Sequence, residues 1–597
     1  MSPSSRDSSA GLLVAPSIAL AMGREHVKQI PAVMDKRDAF VAAMACVLGI
    51  AACGVAEVLV RMIAIVTNLA FYGRWSMTYV SPAGNHLGYA VIAVPVVGGV
   101  IVGLMARYGS RAIRGHGIPE AMEQILTNEA RIPMRIMFLK PTSSAIAIGT
   151  GGPFGAEGPI IATGGALGSA LGQFIKVSSQ ERKTLLAAGA AAGMTAIFGT
   201  PIAAVLIAIE LLLFEYRARS VVPVALAAAC AGGLRAIVHG AGPVFAMPEI
   251  GSLTWETDVV ATLVGALVGV VSVYVTKIVY WIEDRFEKLP IHWMWWPAIG
   301  AVAVGVIGVF APRTLGVGYD NIEGALAGTI PWKALIVLVV AKFVSWAIAL
   351  GTGTSGGTLA PLMTFGSGLG WLITAGCAAI APSAGIDPRV GALVGMTAMF
   401  AGASRALLAS IAFALEVTQQ IHAVVPIVLG VSIAYFASCL LMRTTIMTEK
   451  LVRRGVTVAS EYDVDPLAHV VVASLASHTV HALQLAQTVG EALAEIGHHG
   501  YRHQGYPILQ DGKLVGVVTS RELIAAESAT PLAELVTREP VTVHWNETAR
   551  AAVTRMADEE VGRLVVVVDG DAPVGMLTRS DVVRAFAGKR GLAPEGM

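Results

Sequence analysis

Apolar stretches long enough to cross a lipid bilayer recur between residues 38 and 442, among them 39–60, 89–105, 259–275, 334–350 and 424–442. A hydrocarbon core about 30 Å thick needs about 20 apolar residues of helix, and in lipid only helices or closed barrels satisfy every backbone polar group. The repetition predicts a polytopic α-helical membrane protein with membrane lipid as its solvent. Composition agrees: hydrophobic residues make up 55% of the chain, charged residues 14%, and the mean hydropathy is +0.68. The net charge of +1 gives no sign of a nucleic-acid partner. Arg24, Lys28, Lys36 and Arg37 precede the first span, and Arg443, Lys450, Arg453 and Arg454 follow the last. Basic residues stay inside, so both termini are expected in the cytoplasm, with an even number of crossings of the inner cell membrane. Residues 1–37 read as a cytoplasmic tail, because the apolar run at 11–22 is short and lacks a basic leader. Cys46, Cys53, Cys230, Cys377 and Cys439 all fall in apolar runs without CxxC spacing, which predicts buried structural thiols and no metal site. Trp293, Trp295 and Trp296 read as interfacial anchors.

The membrane part repeats itself. Residues 149–168, GTGGPFGAEGPIIATGGALG, align without gaps to 351–370, GTGTSGGTLAPLMTFGSGLG, with eight of twenty positions identical. At the same offset GMTAIF (193–198) matches GMTAMF (395–400), and one residue earlier in offset GHG (115–117) falls on GVG (316–318). Three matches in one order mark an internal duplication, with copies at about 38–240 and 255–455. Duplicated transporters commonly bring broken helices from both copies to one midplane site. Each copy has a glycine-rich segment, a proline near the first turn, then an apolar run. Proline suits a helix start, and glycines let a ligand approach bare amides at the positive end of the helix dipole. Two such termini together would hold an anion without a cationic side chain. In GGALG (164–168) the small residues read instead as helix packing.

Glu157 is the one ionisable residue between Lys140 and Lys176. An intramembrane carboxylate is costly and is by default a functional candidate. Beside an anion-binding helix terminus it is a tethered competitor: ionised it fills the site, protonated or displaced it vacates it. The expected role is a gate.

GHGIPEA (115–121), GGPFGAEGP (151–159), TLGVGYD (314–320) and GGTLAP (356–361) resemble the signature loops of the CLC family of chloride channels and proton-coupled anion exchangers. RTTIMTEKLVRRG (443–455) resembles that family's final helix and its exit to cytoplasmic domains. The resemblance covers about residues 38–455. It implies a homodimer with one pathway per subunit, halves that run antiparallel (an inverted duplication), and anions held at helix N-termini. Carried onto this chain, it implies gating by Glu157 and anion binding by Gly115, His116, Gly117, Ile118, Pro119, Gly155, Ala156, Gly158, Thr358, Leu359, Ala360 and Met447. Departures accompany it. His116 stands where the family usually has serine, Leu359 where it has phenylalanine, Met447 where it has tyrosine, and Ala156 where it has a basic residue. Two hydroxyl ligands are thus missing, and His116 either donates to the anion or solvates the pathway mouth. Many exchangers carry a second, proton-relaying acid after the residue matching Glu210; here Leu211 follows, which favours a channel. Glu210 recurs in the second copy as Glu416 and reads as a structural cap.

After about residue 455 the composition becomes that of a soluble protein. GVVTSRE (516–522) and GMLTRSD (575–581) repeat one another, which resembles a pair of CBS domains at about 470–527 and 531–590 within a regulatory tail of residues 456–597. CBS pairs are α/β modules that often bind adenine nucleotides. The second copy carries the matching Gly575, Thr578, Ser580 and Asp581, where hydroxyls and amides suit phosphate and a carboxylate suits ribose; Thr519 is the first copy's counterpart. ATP or AMP is the expected ligand, with dimerisation alone as the other reading. His478, His481, His498, His499 and His503 lack ligand spacing and read as solvated surface.

The sequence therefore predicts membrane transport of chloride or a similar small anion through a Glu157-gated pathway, as a channel. The alternative is a proton-coupled chloride exchanger of the same fold. A cation channel with CBS regulation would place acids on the pathway in both copies, and Leu359 stands where the second would be. Nothing in the membrane part has an enzyme's paired acid–base, nucleophile or metal constellation.

Overall fold

A computed structural model describes residues 34, 36–175, 177–251, 253–456, 467, 470–477, 480–498, 503–568 and 572–589. The expected tail up to residue 33, His478 and His499 lie outside the described residues. The chain divides into a membrane unit ending at Tyr462 and a tail unit from Asp463.

The membrane unit begins with α1 (Lys36–Tyr72), whose 37 residues meet no proline. At 1.5 Å per residue this length far exceeds a bilayer core of about 30 Å, so α1 cannot cross upright and entirely within it. There follow α2 (Ala93–Leu104), α3 (Ile118–Thr127), α4 (Arg135–Gly149), α5 (Glu157–Phe174), α6 (Ser179–Phe198), α7 (Pro201–Ile207) and α8 (Ala218–His239). The second copy supplies α9 (Trp255–Glu287), α10 (Trp296–Phe310), α11 (Tyr319–Leu326), α12 (Trp332–Gly351), α13 (Leu359–Ile380), α14 (Pro388–Ser404), α15 (Leu407–Thr418), α16 (Val424–Leu441) and the short α17 (Glu449–Arg453). Among the described residues, eight helical stretches are long and apolar enough to cross a membrane.

The duplication is visible in the packing. α5 packs on α6 as α13 packs on α14. A Cβ on Gly164 would lie 2.2 Å from the Gly189 carbonyl oxygen, and one on Gly370 would lie 2.0 Å from that of Gly391. Helix backbones touch at these glycines, the packing expected of GGALG.

Two further features obey the same symmetry. In α4 the buried Lys140 ammonium donates to the carbonyls of Ile113 (2.9 Å) and Gly115 (2.8 Å); in α12 Lys342 donates to Thr314 (3.0 Å) and Gly316 (2.8 Å). Each lysine pins the loop that leads into α3 or α11. The second feature is reciprocal. Glu210 accepts the N–H groups of Leu408 and Ala409 at the start of α15, and Glu416 accepts those of Ile202 and Ala203 at the start of α7. Each acid caps a helix of the other copy, satisfying donors that have no intrahelical partner.

One expectation is corrected, and another gains a detail. The five cysteines are free, but only Cys53 is buried and Cys439 is exposed, because α16 turns that face away from the protein. Of the three tryptophans only Trp295 stays well exposed. Trp293 and Trp296 flank Arg114, whose guanidinium carbon lies 4.9 and 5.5 Å from their ring centroids, so they are partners of a cation as well as apolar surface.

The tail unit holds two equivalent three-stranded sheets with separate apolar cores. The first comprises β1 (Leu483–Gln484), α18 (Val489–His498), β2 (Gly505–Gln510), β3 (Lys513–Thr519) and α19 (Ser520–Ala525). After α20 (Leu532–Leu535) the pattern returns as β4 (Thr542–His544), α21 (Ala549–Asp558), β5 (Arg563–Val568), β6 (Ala572–Thr578) and α22 (Arg579–Lys589). In each sheet the first pair of strands is parallel across a helix and the second is an antiparallel hairpin.

Candidate functional site

Three loops converge between the copies. Gly155 and Gly357, equivalent residues of the duplication, form an antiparallel bridge: Gly357 N–H donates to Gly155 O at 2.9 Å and Gly155 N–H to Gly357 O at 3.2 Å. Gly117 adopts φ +98°, open to glycine at little cost, and a Cβ there would lie 2.2 Å from Gly158 O. A Cβ on Gly158 would meet His116 O at 2.0 Å. The glycines thus serve close approach of backbone to backbone. Buried hydroxyls tie the second loop to α4, with Ser355 bonded to Ser143 (3.2 Å) and Ser144 (2.8 Å).

From this junction α5 begins at Glu157 and α13 at Leu359, the equivalent position. The Glu157 side chain is fully buried and bends back onto the start of α13, where Oε1 accepts the Ala360 N–H at 2.6 Å. The amides of Leu359 and of Glu157 itself also reach the carboxylate, and the Tyr319 hydroxyl donates to Oε2 at 3.4 Å. Among the described residues no basic side chain bonds it. The carboxylate sits where amides of two helix termini would cradle an anion.

Not every nominated residue presents a free group. The Gly117 amide is taken by Glu120 Oε2 at 2.6 Å, because α3 carries an acid in its first turn, and the Gly155 amide is held in the bridge. Pro119 has no N–H, and the Gly115 carbonyl is a lysine acceptor. Met447 is buried, with its amide on Thr445 Oγ1 at 3.2 Å. Ile118 and Ala156 are buried apolar residues at the starts of α3 and α5. Of the nominated residues, two carry a buried side-chain polar atom with no protein partner among the described residues: His116 Nδ1 and Thr358 Oγ1. Such atoms are costly to leave unmet and suit a ligand or water.

At the side of the junction where α3 lies, a cavity of about 720 Å³ is lined by Arg111, Arg114, Lys140, Lys450, Arg453 and Arg454, with four glutamates among them. Lys450 stands 3.8 Å from Glu120 and 3.9 Å from Glu283. The bases outnumber the acids, which favours anion entry.

The sequence profile of the voltage gated chloride channel family matches residues 97–439. The chain belongs to the CLC family. Profiles of the CBS domain match residues 472–529 and 532–588, so this CLC protein carries a CBS pair. A protein of Ralstonia nicotianae named for ClcB-like chloride channels is 28% identical over 58% of this chain and 82% of its own length. A ClcA H⁺/Cl⁻ exchange transporter of Vibrio parahaemolyticus is 29% identical over 55% of this chain and 71% of its own. The solved structure of a slow cyanobacterial Cl⁻/H⁺ antiporter superposes with a TM-score of 0.63 at 21% identity, covering 70% of this chain and 98% of that one. A eukaryotic CLC transporter superposes with a TM-score of 0.56 at 20% identity, covering 91% and 97%. The fold is that of CLC proteins, and the chain is a multi-pass membrane protein of an anion-transporting family.

In the tail of this CLC protein, Thr578, Ser580 and Asp581 line one cleft of about 530 Å³. Asp581 Oδ2 accepts the Thr578 N–H (2.9 Å) and hydroxyl (2.6 Å), and Oδ1 lies 3.7 Å from Arg584. Gly575 is buried beside the Ser477 carbonyl, and Thr519 lines a neighbouring depression with Gln504 and Arg563. Arg563, whose guanidinium burial holds below its ordinary pKa, lines the cleft as well and is absent from the residues expected above. His481 and His503 line the same cleft with rings stacked at 5.1 Å. The repeat itself held the signal, since 503 lies just ahead of β2 and 563 opens β5.

Proposed function

We propose that the protein carries chloride or a similar small anion across the membrane through a pathway that Glu157 gates, and that it does so as a proton-coupled exchanger. The observation that carries the gate is the Glu157 carboxylate seated on the Ala360 amide at 2.6 Å, a short bond at the start of α13. A carboxylate that occupies an anion's seat competes with the anion. Protonation removes its charge, frees the seat and moves a proton with the side chain. His116 and Thr358, each with an unpartnered buried atom, are the side chains we assign to the passing anion, with the Leu359 and Ala360 amides. Exchange is favoured by relatives named as H⁺/Cl⁻ exchange transporters. The second reading is a passive channel, and Leu211 favours it: this buried leucine offers no group to relay protons.

The test is reconstitution into liposomes with chloride and pH recorded together. Uphill proton movement driven by a chloride gradient supports exchange; chloride flux without it establishes the channel. Glu157→Gln, which mimics the protonated gate, should give flux that no longer responds to pH. A folded variant with steep pH dependence would remove Glu157 from the role.

We assign the Thr578, Ser580 and Asp581 cleft to an adenine nucleotide. Arg563, Arg579 and Arg584 line it as phosphate partners, and Asp581 is the ribose acceptor. The family resemblance supports a homodimer, and the flanking basic residues support cytoplasmic termini.

A further inference from the structure

We propose that Tyr319 is the positioning residue of the gate: its hydroxyl, delivered by the second copy, holds the Glu157 carboxylate in its seat and sets the pH at which that seat is vacated. The proposal rests on the gating role given to Glu157 above.

Tyr319 opens α11, directly after Gly318 at φ +79°, and its hydroxyl donates to Glu157 Oε2 at 3.4 Å. The Ala156 amide reaches the same hydroxyl, which can accept from it while donating to the carboxylate. Each carboxylate oxygen therefore has its own donor, Ala360 N–H for Oε1 and Tyr319 for Oε2. Among the described residues, Tyr319 is the one side chain that bonds Glu157.

The ring is held from two sides. Phe198, at the end of α6, meets it edge-on at 5.7 Å and 67°, and Phe245 packs at 5.8 Å and 57°. Phe198 is braced by Phe413 of α15 at 5.1 Å, and Phe245 is anchored by its N–H on Val417 O at 2.9 Å. A locked ring presents its hydroxyl at one place, so the contact with Glu157 requires no ordering of a mobile side chain. The position equivalent to Tyr319 in the first copy is Ile118, at the offset that aligns GHG with GVG. The hydroxyl is therefore confined to one side of an otherwise symmetric junction. It also supplies a side-chain hydroxyl where His116 and Met447 supply none.

A donor to the carboxylate favours the ionised, seated form. Without it the carboxylate takes a proton at higher pH, and the gate opens at higher pH. The other charged or titratable groups near the pair are Lys342, which acts on Glu157 from α12, His116 in the adjoining loop, and Tyr79 and Asp320 around Tyr319 and Lys342. All remain in a Tyr319 variant, so a changed profile reports the hydroxyl.

The experiment measures anion flux against pH in liposomes for wild type, Tyr319→Phe, Tyr319→Ile, Glu157→Gln and the Glu157→Gln/Tyr319→Phe pair. Tyr319→Phe keeps the ring and its packing. At 3.4 Å the bond is long, so the half-activation pH should rise by about half to one unit, a roughly threefold to tenfold gain in flux at fixed pH. Tyr319→Ile, which installs the first copy's side chain, should shift it the same way. The pair should match Glu157→Gln alone. A flat Glu157→Gln profile beside unshifted or downward-shifted Tyr319 variants overturns the proposal and leaves the gate standing. A Glu157→Gln profile that keeps its pH dependence overturns the gate, and this proposal with it.

Discussion

Gly357→Ala is the most economical probe of the junction, because it adds one methyl group where three backbones meet. Gly357 has no unusual φ, so the cost is one of space alone. The new Cβ would lie 2.6 Å from Gly155 O, 2.9 Å from Gly158 N and 3.0 Å from the Glu157 carboxyl carbon, where ordinary contact begins at 3.4 Å. Two of these neighbours are backbone atoms inside the bridge and the first turn of α5, so neither can swing aside as a side chain would. Overpacking of this kind costs about 1–3 kcal/mol, and relief requires the two helix starts to separate by several tenths of an ångström. A hydrogen bond of 2.6 Å tolerates little of that, so the Glu157 seat on Ala360 should loosen before the fold does. Chloride efflux from liposomes, read with thermal stability in detergent, should show altered flux and a flattened pH response in a protein that still folds. Gly376→Ala, in the α13 helix that follows, is the control, because nothing lies within 4 Å of its Cβ, and it should be silent in both assays. Wild-type flux and pH response in Gly357→Ala would refute the close-approach reading of the glycines.

The caps and the tail give two further expectations. Glu210→Ala, which strips the acceptor from Leu408 and Ala409, should cost about 1–2 kcal/mol in thermal unfolding while transport persists; loss of proton coupling with unchanged stability would instead make Glu210 a proton carrier. Asp581→Ala should weaken ATP or AMP binding to the full-length protein by roughly thirtyfold, about 2 kcal/mol, in calorimetry, and a wild type that binds neither at millimolar ligand would leave the tail a dimerisation module.

The duplication was legible because its copies align without a gap across the loops that form the junction, and that alignment placed both helix starts and the isolation of Glu157. Tyr319 was harder to see. It lies 162 positions from Glu157, and its loop is displaced by one residue in the repeat alignment, so nothing local joins the two. Lys140 and Lys342 were within reach: both are lysines at the offset of 202 that relates Gly149 to Gly351, inside runs where a charge is expensive. Gly117 and Gly155 were assigned to the anion by the family resemblance, whereas their amides are committed to Glu120 and to the bridge, a competition that no motif encodes. His481 and His503 failed ligand spacing because they meet across a strand connection. The leaning toward a channel rested on Leu211 alone, and relatives named as exchangers weigh against it.

The reciprocal caps of Glu210 and Glu416 have a consequence for biogenesis. Glu210 and Leu408 are 198 positions apart, which at ribosomal rates is roughly 10–40 s of synthesis. For that interval the first copy must wait in the membrane with an acid that has no helix to cap and a helix, α7, whose starting amides have no acceptor. Neither copy can finish alone. Maturation is therefore a single late annealing of two half-built bundles, and a defect in the second half should send the first to quality control as surely as a defect of its own.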